Sequence, residues 1–166
     1  MGLPMTSCED FGSILADLRG MRAGIIDTST LIYGQHLQLL PLLAQQWRLV
    51  LIPQVVAEFG ESPNHMELWP SAASGSTDEA LLCTAIDLHL PLFSEDGRLL
   101  RRARARHHPH YNSLMLLLAL LIQGQISQAE HDRLHATLLQ VARYSSAVLA
   151  WGQSLHQAIS ASLDGQ

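Results

Sequence analysis

Apolar runs of strand length alternate with longer runs of helical pattern along this chain, and the strand-like runs end at acidic or helix-starting residues. Residues 23–27 read Ala-Gly-Ile-Ile-Asp and end in Asp27. Residues 49–52 read Leu-Val-Leu-Ile and are closed by Pro53; residues 91–94 read Pro-Leu-Phe-Ser and run into Glu95-Asp96. Alternation of this kind calls for parallel strands joined by crossover helices, with both faces of the sheet covered. Right-handed crossovers then bring the C-terminal strand ends to one edge, where open α/β sheets bind ligands. The predicted fold class is therefore α/β, a three-layer α/β/α sandwich with a short parallel sheet of about four strands.

The remaining segments fill in that frame. Residues 6–19 read as a helix with a Thr6–Glu9 capping box and a stop at Gly20. Residues 29–46 are helical, with Pro41 either kinking the run or splitting it in two. Pro53 at a first helical position opens a helix to about Phe59. Residues 60–77, rich in Pro, Gly and Ser, form the one clear loop. A helix follows from Asp78 to about Leu88, then an Arg-rich helix over 98–106 and a short fourth strand within 107–112. Residues 113–123, 127–143 and 146–161 are helices, with Ser127 and Glu130 as a further capping box.

With 166 residues, a single domain over 1–166 is expected: an additional N-terminal helix within 1–20, the loop at 60–77 and C-terminal helices over 113–162. At 48% hydrophobic the chain can bury a sizeable core, and with only 5% aromatic residues the bulk of that core is aliphatic. The longest apolar run, Leu114 to Ile122, is far short of the roughly 20 residues a bilayer requires. It reads as a core helix, and no membrane association is expected. Glu9 and Asp10 in an N-terminal stretch without an apolar h-region argue against a signal peptide. Cys8 and Cys83 are too few for a disulfide framework, so a reducing cytoplasm is the expected location. The apolar C-terminal helices, with Trp151 on the last, offer either core or a homodimer face.

Asp27, Glu58, Asp78 and Asp96 are the residues of interest. Asp27 and Asp96 follow strand-like runs and are expected to meet at the sheet edge, with Glu58 and Asp78 looking in from helices. Singly, each acid has a plainer reading: Asp27 as a helix cap, Glu58 as a solvated helix residue, Asp78 as an N-cap or first-turn dipole partner, Asp96 as a turn residue. Capping alone, however, does not require the same side of the sheet at every position. Four carboxylates in one crevice repel one another strongly unless cations lie between them. A Mg²⁺ or Mn²⁺ site, and with it phosphate-ester cleavage, follows.

The formal net charge of −5 does not by itself suggest a nucleic-acid binder. The charge is uneven: Arg98, Arg101, Arg102, Arg104 and Arg106 are half of the ten basic residues and lie directly after Asp96. Arg98, Arg101 and Arg102 share a face suited to phosphates. The same face also suits a merely solvated amphipathic helix, with Leu99, Leu100 and Ala103 packing inward. His107-His108-Pro109-His110 lacks the four ligands of a structural zinc site and has no cysteine nearby. It reads as a surface loop.

Read together, these segments resemble a PIN-domain nuclease. Ile25-Ile26-Asp27-Thr28-Ser29 resembles the family's opening strand, which ends in Asp-Thr-Ser. Ile52-Pro53-Gln54-Val55-Val56-Ala57-Glu58 is similar to the Pro-led helix that carries its Glu. Thr77-Asp78 with the helix after it, and Pro91-Leu92-Phe93-Ser94-Glu95-Asp96 closing in the manner of Thr-x-Asp, complete the set, Ser94 standing in place of the Thr. The resemblance covers about residues 22–145. The family usually has one or two more helices between the positions of Glu58 and Asp78, and it lacks the helix at 6–19.

The resemblance implies an RNA substrate, a divalent metal and metal-dependent phosphodiester hydrolysis. Asp27 would be the central ligand, Asp78 and Asp96 would complete the site directly or through water, and Glu58 would orient the attacking water. One or two ions are both compatible with this set. The hydroxyls of Thr28, Ser29 and Ser94 would support ligand waters, and Glu79 and Glu95 are neighbours able to substitute. Many PIN nucleases are toxins of bacterial toxin–antitoxin pairs, which adds a protein antitoxin or inhibitor to the expected partners. The alternative is a PIN-like module that binds RNA or protein without cutting. An aspartyl-nucleophile phosphatase is disfavoured by Ser29 at the position of its second acid, and a nucleotide-binding fold by the lack of a glycine-rich phosphate loop.

Overall fold

The computed structural model describes residues 8–71 and 75–165, with side chains from residue 11 onward. The Thr6–Glu9 capping box and the Cys8 side chain lie outside what is described. The chain forms two compact units. One is Arg22–Ser113; the other comprises the described residues of Met1–Met21 and Leu114–Gln166.

The first unit contains one parallel sheet. Its strands are β1 (Ala23–Ile26), β2 (Arg48–Leu51), β3 (Glu67–Leu68), β4 (Leu92–Phe93) and β5 (His110–Tyr111), in spatial order β3-β2-β1-β4-β5. The pairing register is fixed by Ile25 against Val50 and Leu92, and by Phe93 against Tyr111. Helices α2 (Thr28–His36), α3 (Leu40–Gln46) and α4 (Pro53–Phe59) accompany the steps from β1 towards β3. Helices α5 (Thr77–Leu88) and α6 (Gly97–Ala105) accompany the steps in the opposite direction, to β4 and β5. With right-handed crossovers, opposite directions of travel put the two sets on opposite faces. Accordingly α2 packs on α3 and α4, and α5 packs on α6, β1 and β4. The fold is the expected α/β sandwich, with a single parallel sheet.

Local chemistry accounts for most boundaries. Pro41 splits the 29–46 run: α2 ends at His36, and α3 starts with Leu39 as its cap and Pro41 in the first turn. Pro53 is the first helical residue of α4, and Gly60, at φ 94°, closes that helix in the left-handed conformation. Strands β1 and β2 are nearly continuous apolar runs because the sheet is covered on both sides. Phe93, fully buried, lies between Trp47 and Tyr111 with ring centroids 6.0 and 6.3 Å away.

The strand count departs from expectation. Residues 60–77 are not all loop, because Glu67–Leu68 pairs in parallel with Val50–Leu51 and makes a fifth, edge strand. Trp69 N donates to Leu51 O at 2.7 Å, and Arg48 Nε meets Glu67 Oε2 at 2.8 Å. These are contacts with β2, and two residues carry too little periodicity to announce them. Ser76 rather than Asp78 caps α5, accepting from Glu79 N, so Asp78 falls in the first turn.

The second unit is helical among its described residues: α1 (Cys8–Gly20), α7 (Ser113–Ile122), α8 (Gln128–Val141) and α9 (Ser146–Asp164). Helix α1 packs on α9, and the Gln123 amide donates to the carbonyls of Leu18 and Met21 at the end of α1. Ser127 caps α8 through Glu130 N as expected. Gly152 is buried in α9, with the Leu114 side chain occupying the space a Cβ would need. Trp151 is half-buried. No helix among the described residues is long and apolar enough to cross a membrane.

Candidate active site

The strand order reverses between β1 and β4, so the crevice of this sheet opens at their C-terminal ends. Asp27 directly follows β1, and Asp96 stands three residues beyond β4. The main chains are tied there, with Asp27 N donating to Phe93 O at 2.9 Å.

Asp27 is buried, at 6% exposure, and its carboxylate is held by three donors. Oδ1 accepts from Thr28 N at 2.7 Å; Oδ2 accepts from Ser29 Oγ at 2.9 Å and Ser94 Oγ at 2.7 Å. Each hydroxyl also accepts from the β4–α6 turn: Ser29 Oγ from Glu95 N and Ser94 Oγ from Asp96 N, both at 3.0 Å. Ser94, wholly buried, thus bridges the two strand-end acids. A carboxylate oxygen has two lone pairs, so three hydrogen bonds leave Asp27 capacity for a further ligand.

Asp96 caps α6, its Oδ1 accepting from Arg98 N at 2.8 Å and Leu99 N at 3.0 Å. Glu58, exposed on α4, accepts from Thr28 Oγ1 at 2.7 Å and Thr77 Oγ1 at 2.6 Å. It therefore joins the first turns of α2 and α5. The role of Thr77 was not foreseeable from residue order; the only signal was a hydroxyl immediately before Asp78. The hydroxyl protons of Thr28, Ser29 and Ser94 go to carboxylates.

Asp78 is half-buried in the first turn of α5. Its proton affinity is raised, first by burial, then by the charges of Asp96, Asp27 and Glu58, against an opposing pull from Arg102. Four acids spread over 70 residues of chain thus share one electrostatic neighbourhood. Three helix N-termini, those of α2, α5 and α6, begin at or beside these acids, and their partial positive charge suits either carboxylates or phosphate.

The arrangement is not a closed cage. Among the described residues, the group of three or more metal-ligating side chains with ligand atoms within 4.8 Å of one another is His131, Asp132 and His156 in the helical unit, not the four acids. The carboxylates nevertheless fit a hard divalent ion: all are oxygen donors, and Mg²⁺ keeps several waters and takes few direct protein ligands.

Helix α6 is strongly amphipathic, with Leu99 and Ala103 fully buried and Arg98, Arg101, Arg104 and Arg106 exposed. Arg102 is committed to Glu79, which Arg106 also reaches at 3.2 Å. Glu79 is thereby occupied as an ion-pair partner. Glu95 Oε1 accepts from Ser113 N at 2.5 Å. His110 lies in β5, with His110 Nδ1 2.8 Å from the carbonyl of His108, and His108 Nε2 is 2.7 Å from the carbonyl of Leu90. No protein-family model matches this chain, and no curated protein matches it.

Proposed function

We propose that this protein is a metal-dependent ribonuclease that hydrolyses phosphodiester bonds of RNA, and that its reaction centre is the crevice holding Asp27, Glu58, Asp78 and Asp96. The observation that carries the reading is geometric: Ser29 and Ser94 tie the buried Asp27 carboxylate to the turn that carries Asp96, and Glu58 is held between Thr28, next to Asp27, and Thr77, next to Asp78. The raised proton affinity of Asp78 accords with it. Placing like charges together at the switch point of a parallel sheet is costly for folding alone and useful for holding a cation.

Asp27, Asp78 and Asp96 would hold Mg²⁺ or Mn²⁺. When bound, such an ion supplies Lewis acidity toward a phosphoryl oxygen and offsets the carboxylate charge. The chain's own groups do the rest. Ser29 and Ser94 fix the Asp27 carboxylate, and the backbone N–H groups of Arg98 and Leu99 fix Asp96. Glu58, held by Thr28 and Thr77, would orient the attacking water. Arg98 and Arg101, exposed on the helix that starts at Asp96, would hold substrate phosphates. The resemblance to PIN nucleases supports this reading and extends it to a toxin restrained by a protein antitoxin.

A second reading, a PIN-like module that binds RNA or protein without cutting, is favoured by the spacing of the carboxylates, which are not drawn into one tight ligand group. Incubating the purified protein and Asp27→Asn with a mixed RNA pool in Mn²⁺, Mg²⁺ or EDTA decides between them. Cleavage that requires metal and vanishes in the variant is the expected result. Folded wild type that retains RNA in a gel shift yet leaves it intact in both metals would establish the binding module instead.

A further inference from the structure

The helical unit carries a second cluster of metal-ligating groups, independent of the ribonuclease reading. Its residues are His131 and Asp132 on α8 and His156 on α9, whose ligand atoms lie within 4.8 Å of one another. The rings of His131 and His156 have centroids 4.5 Å apart; His135, one turn along α8, stacks on His131 at 5.8 Å.

Two details separate this cluster from ordinary helix packing. The first is an unpartnered atom. His131 is 2% exposed, and its Nε2 has no hydrogen-bond partner. A buried polar atom left unpaired bears its full desolvation penalty, which a histidine buried for packing alone would not be expected to carry. The other ring nitrogen, Nδ1, lies 3.4 Å from Asp132 Oδ1. His131 also lines a cavity of about 390 Å³, together with His135, His156, Leu114, Leu118 and Leu139. The second is Gln128. Its Nε2 donates to Asp132 Oδ1 at 2.8 Å and lies 2.6 Å from His156 Nε2. An amide nitrogen only donates, so His156 Nε2 is the acceptor there. The lone pairs of Asp132 and His156 thus converge on one electropositive point, which the Gln128 amide fills.

We propose that His131, Asp132 and His156 form a binding site for a transition cation of the zinc type, entered by displacement of the Gln128 amide. Two imidazoles with one carboxylate suit Zn²⁺, whereas Mg²⁺ prefers an all-oxygen shell. Three protein ligands leave a fourth coordination position for water. Ser160 Oγ, 3.3 Å from Gln128 Oε1, retains the amide by its other end when the nitrogen swings away.

The test is calorimetric titration of Zn²⁺ into metal-stripped full-length protein carrying Asp27→Asn, so that the carboxylate crevice does not confuse the count. One Zn²⁺ per chain is expected, with a rise in melting temperature. Asp132→Asn and His156→Ala should each weaken binding by about tenfold or more, while His110→Ala on β5 should leave it unchanged. Gln128→Ala should lower the melting temperature without metal yet bind Zn²⁺ at least as tightly. A merely structural Gln128–His156 contact does not predict that split. Asp132 is 60% exposed in its side chain, so its variant keeps the test valid should His156→Ala fail to fold. Absence of Zn²⁺ uptake by the folded protein, or equal uptake in Asp132→Asn, overturns the site.

Discussion

Ser94 has the most concentrated role of any residue at the crevice. It is wholly buried, gives its proton to Asp27 and receives one from Asp96 N. Ser94→Ala removes a donor from a buried carboxylate and leaves a main-chain N–H unpaired. The expected loss is about 1–3 kcal/mol of stability, read from a urea midpoint, with a larger fall in metal-dependent cleavage than that loss explains. Asp78 runs the other way. Its folded proton affinity is raised above the ordinary carboxylate value, so the native state binds more protons than the unfolded chain in that window, and stability falls as pH rises through it. At neutral pH the ionised Asp78 is a burden on the metal-free protein. Asp78→Asn should therefore melt higher than wild type in EDTA, and addition of Mn²⁺ should narrow the gap by stabilising wild type more. A lower melting temperature for the variant in EDTA would contradict the electrostatic account.

At the level of elements, the join of β1 to β4 depends on a missing side chain. A Cβ at Gly24 would come within 2.3 Å of the Phe93 ring, and that ring is fully buried beside Trp47 and Tyr111. Gly24→Ala must displace the ring, with an expected cost of about 1–3 kcal/mol. Because Ser94 follows Phe93 directly, cleavage activity should fall with it; a denaturant melt and an RNA assay on one preparation measure both. Helix α6 makes a different prediction. On the ribonuclease reading, Arg98 and Arg101, both exposed on α6, are the side chains placed to meet substrate phosphates. Arg98→Ala with Arg101→Ala should weaken RNA binding and reduce the slope of log affinity against log salt by about 0.7 for each phosphate no longer neutralised. Filter binding at several salt concentrations tests this. An unchanged slope would return α6 to the role of a solvated amphipathic helix.

Across the molecule, the two units respond to acid for different reasons. In the helical unit, burial holds the His131 and His135 imidazoles below their ordinary value of 6.5; His156 adds to this, and Asp132 opposes it. The unfolded chain therefore takes up protons at higher pH than the folded one. Stability contributed by these groups is complete above 6.5 and is lost as pH falls below it. In EDTA the melting temperature should drop between about pH 7 and 5, and His131→Gln should flatten that drop. A wild-type melting temperature independent of pH in this range would contradict the burial of neutral histidines.

The sequence by itself determined the alternation of strand and helix, the α/β class, most helix starts and the acids that follow β1 and β4. These depend on interactions within a few residues: apolar period, capping hydroxyls, proline in a first turn. Pro41, Pro53 and the Ser127–Glu130 pair were legible for that reason. The tertiary structure alone decided the edge strand at Glu67–Leu68, whose two residues gain order only from β2. It likewise decided that Thr77 holds Glu58 across 19 positions, that Glu79 occupies Arg102, and that His131 and His156 meet from separate helices. The i,i+4 spacing of His131 and His135 was visible in the chain, but the third ring was not. Which side chain a hydroxyl, a guanidinium or an imidazole finds depends on backbone brought near by chain closure, and residue order carries no short-range mark of it.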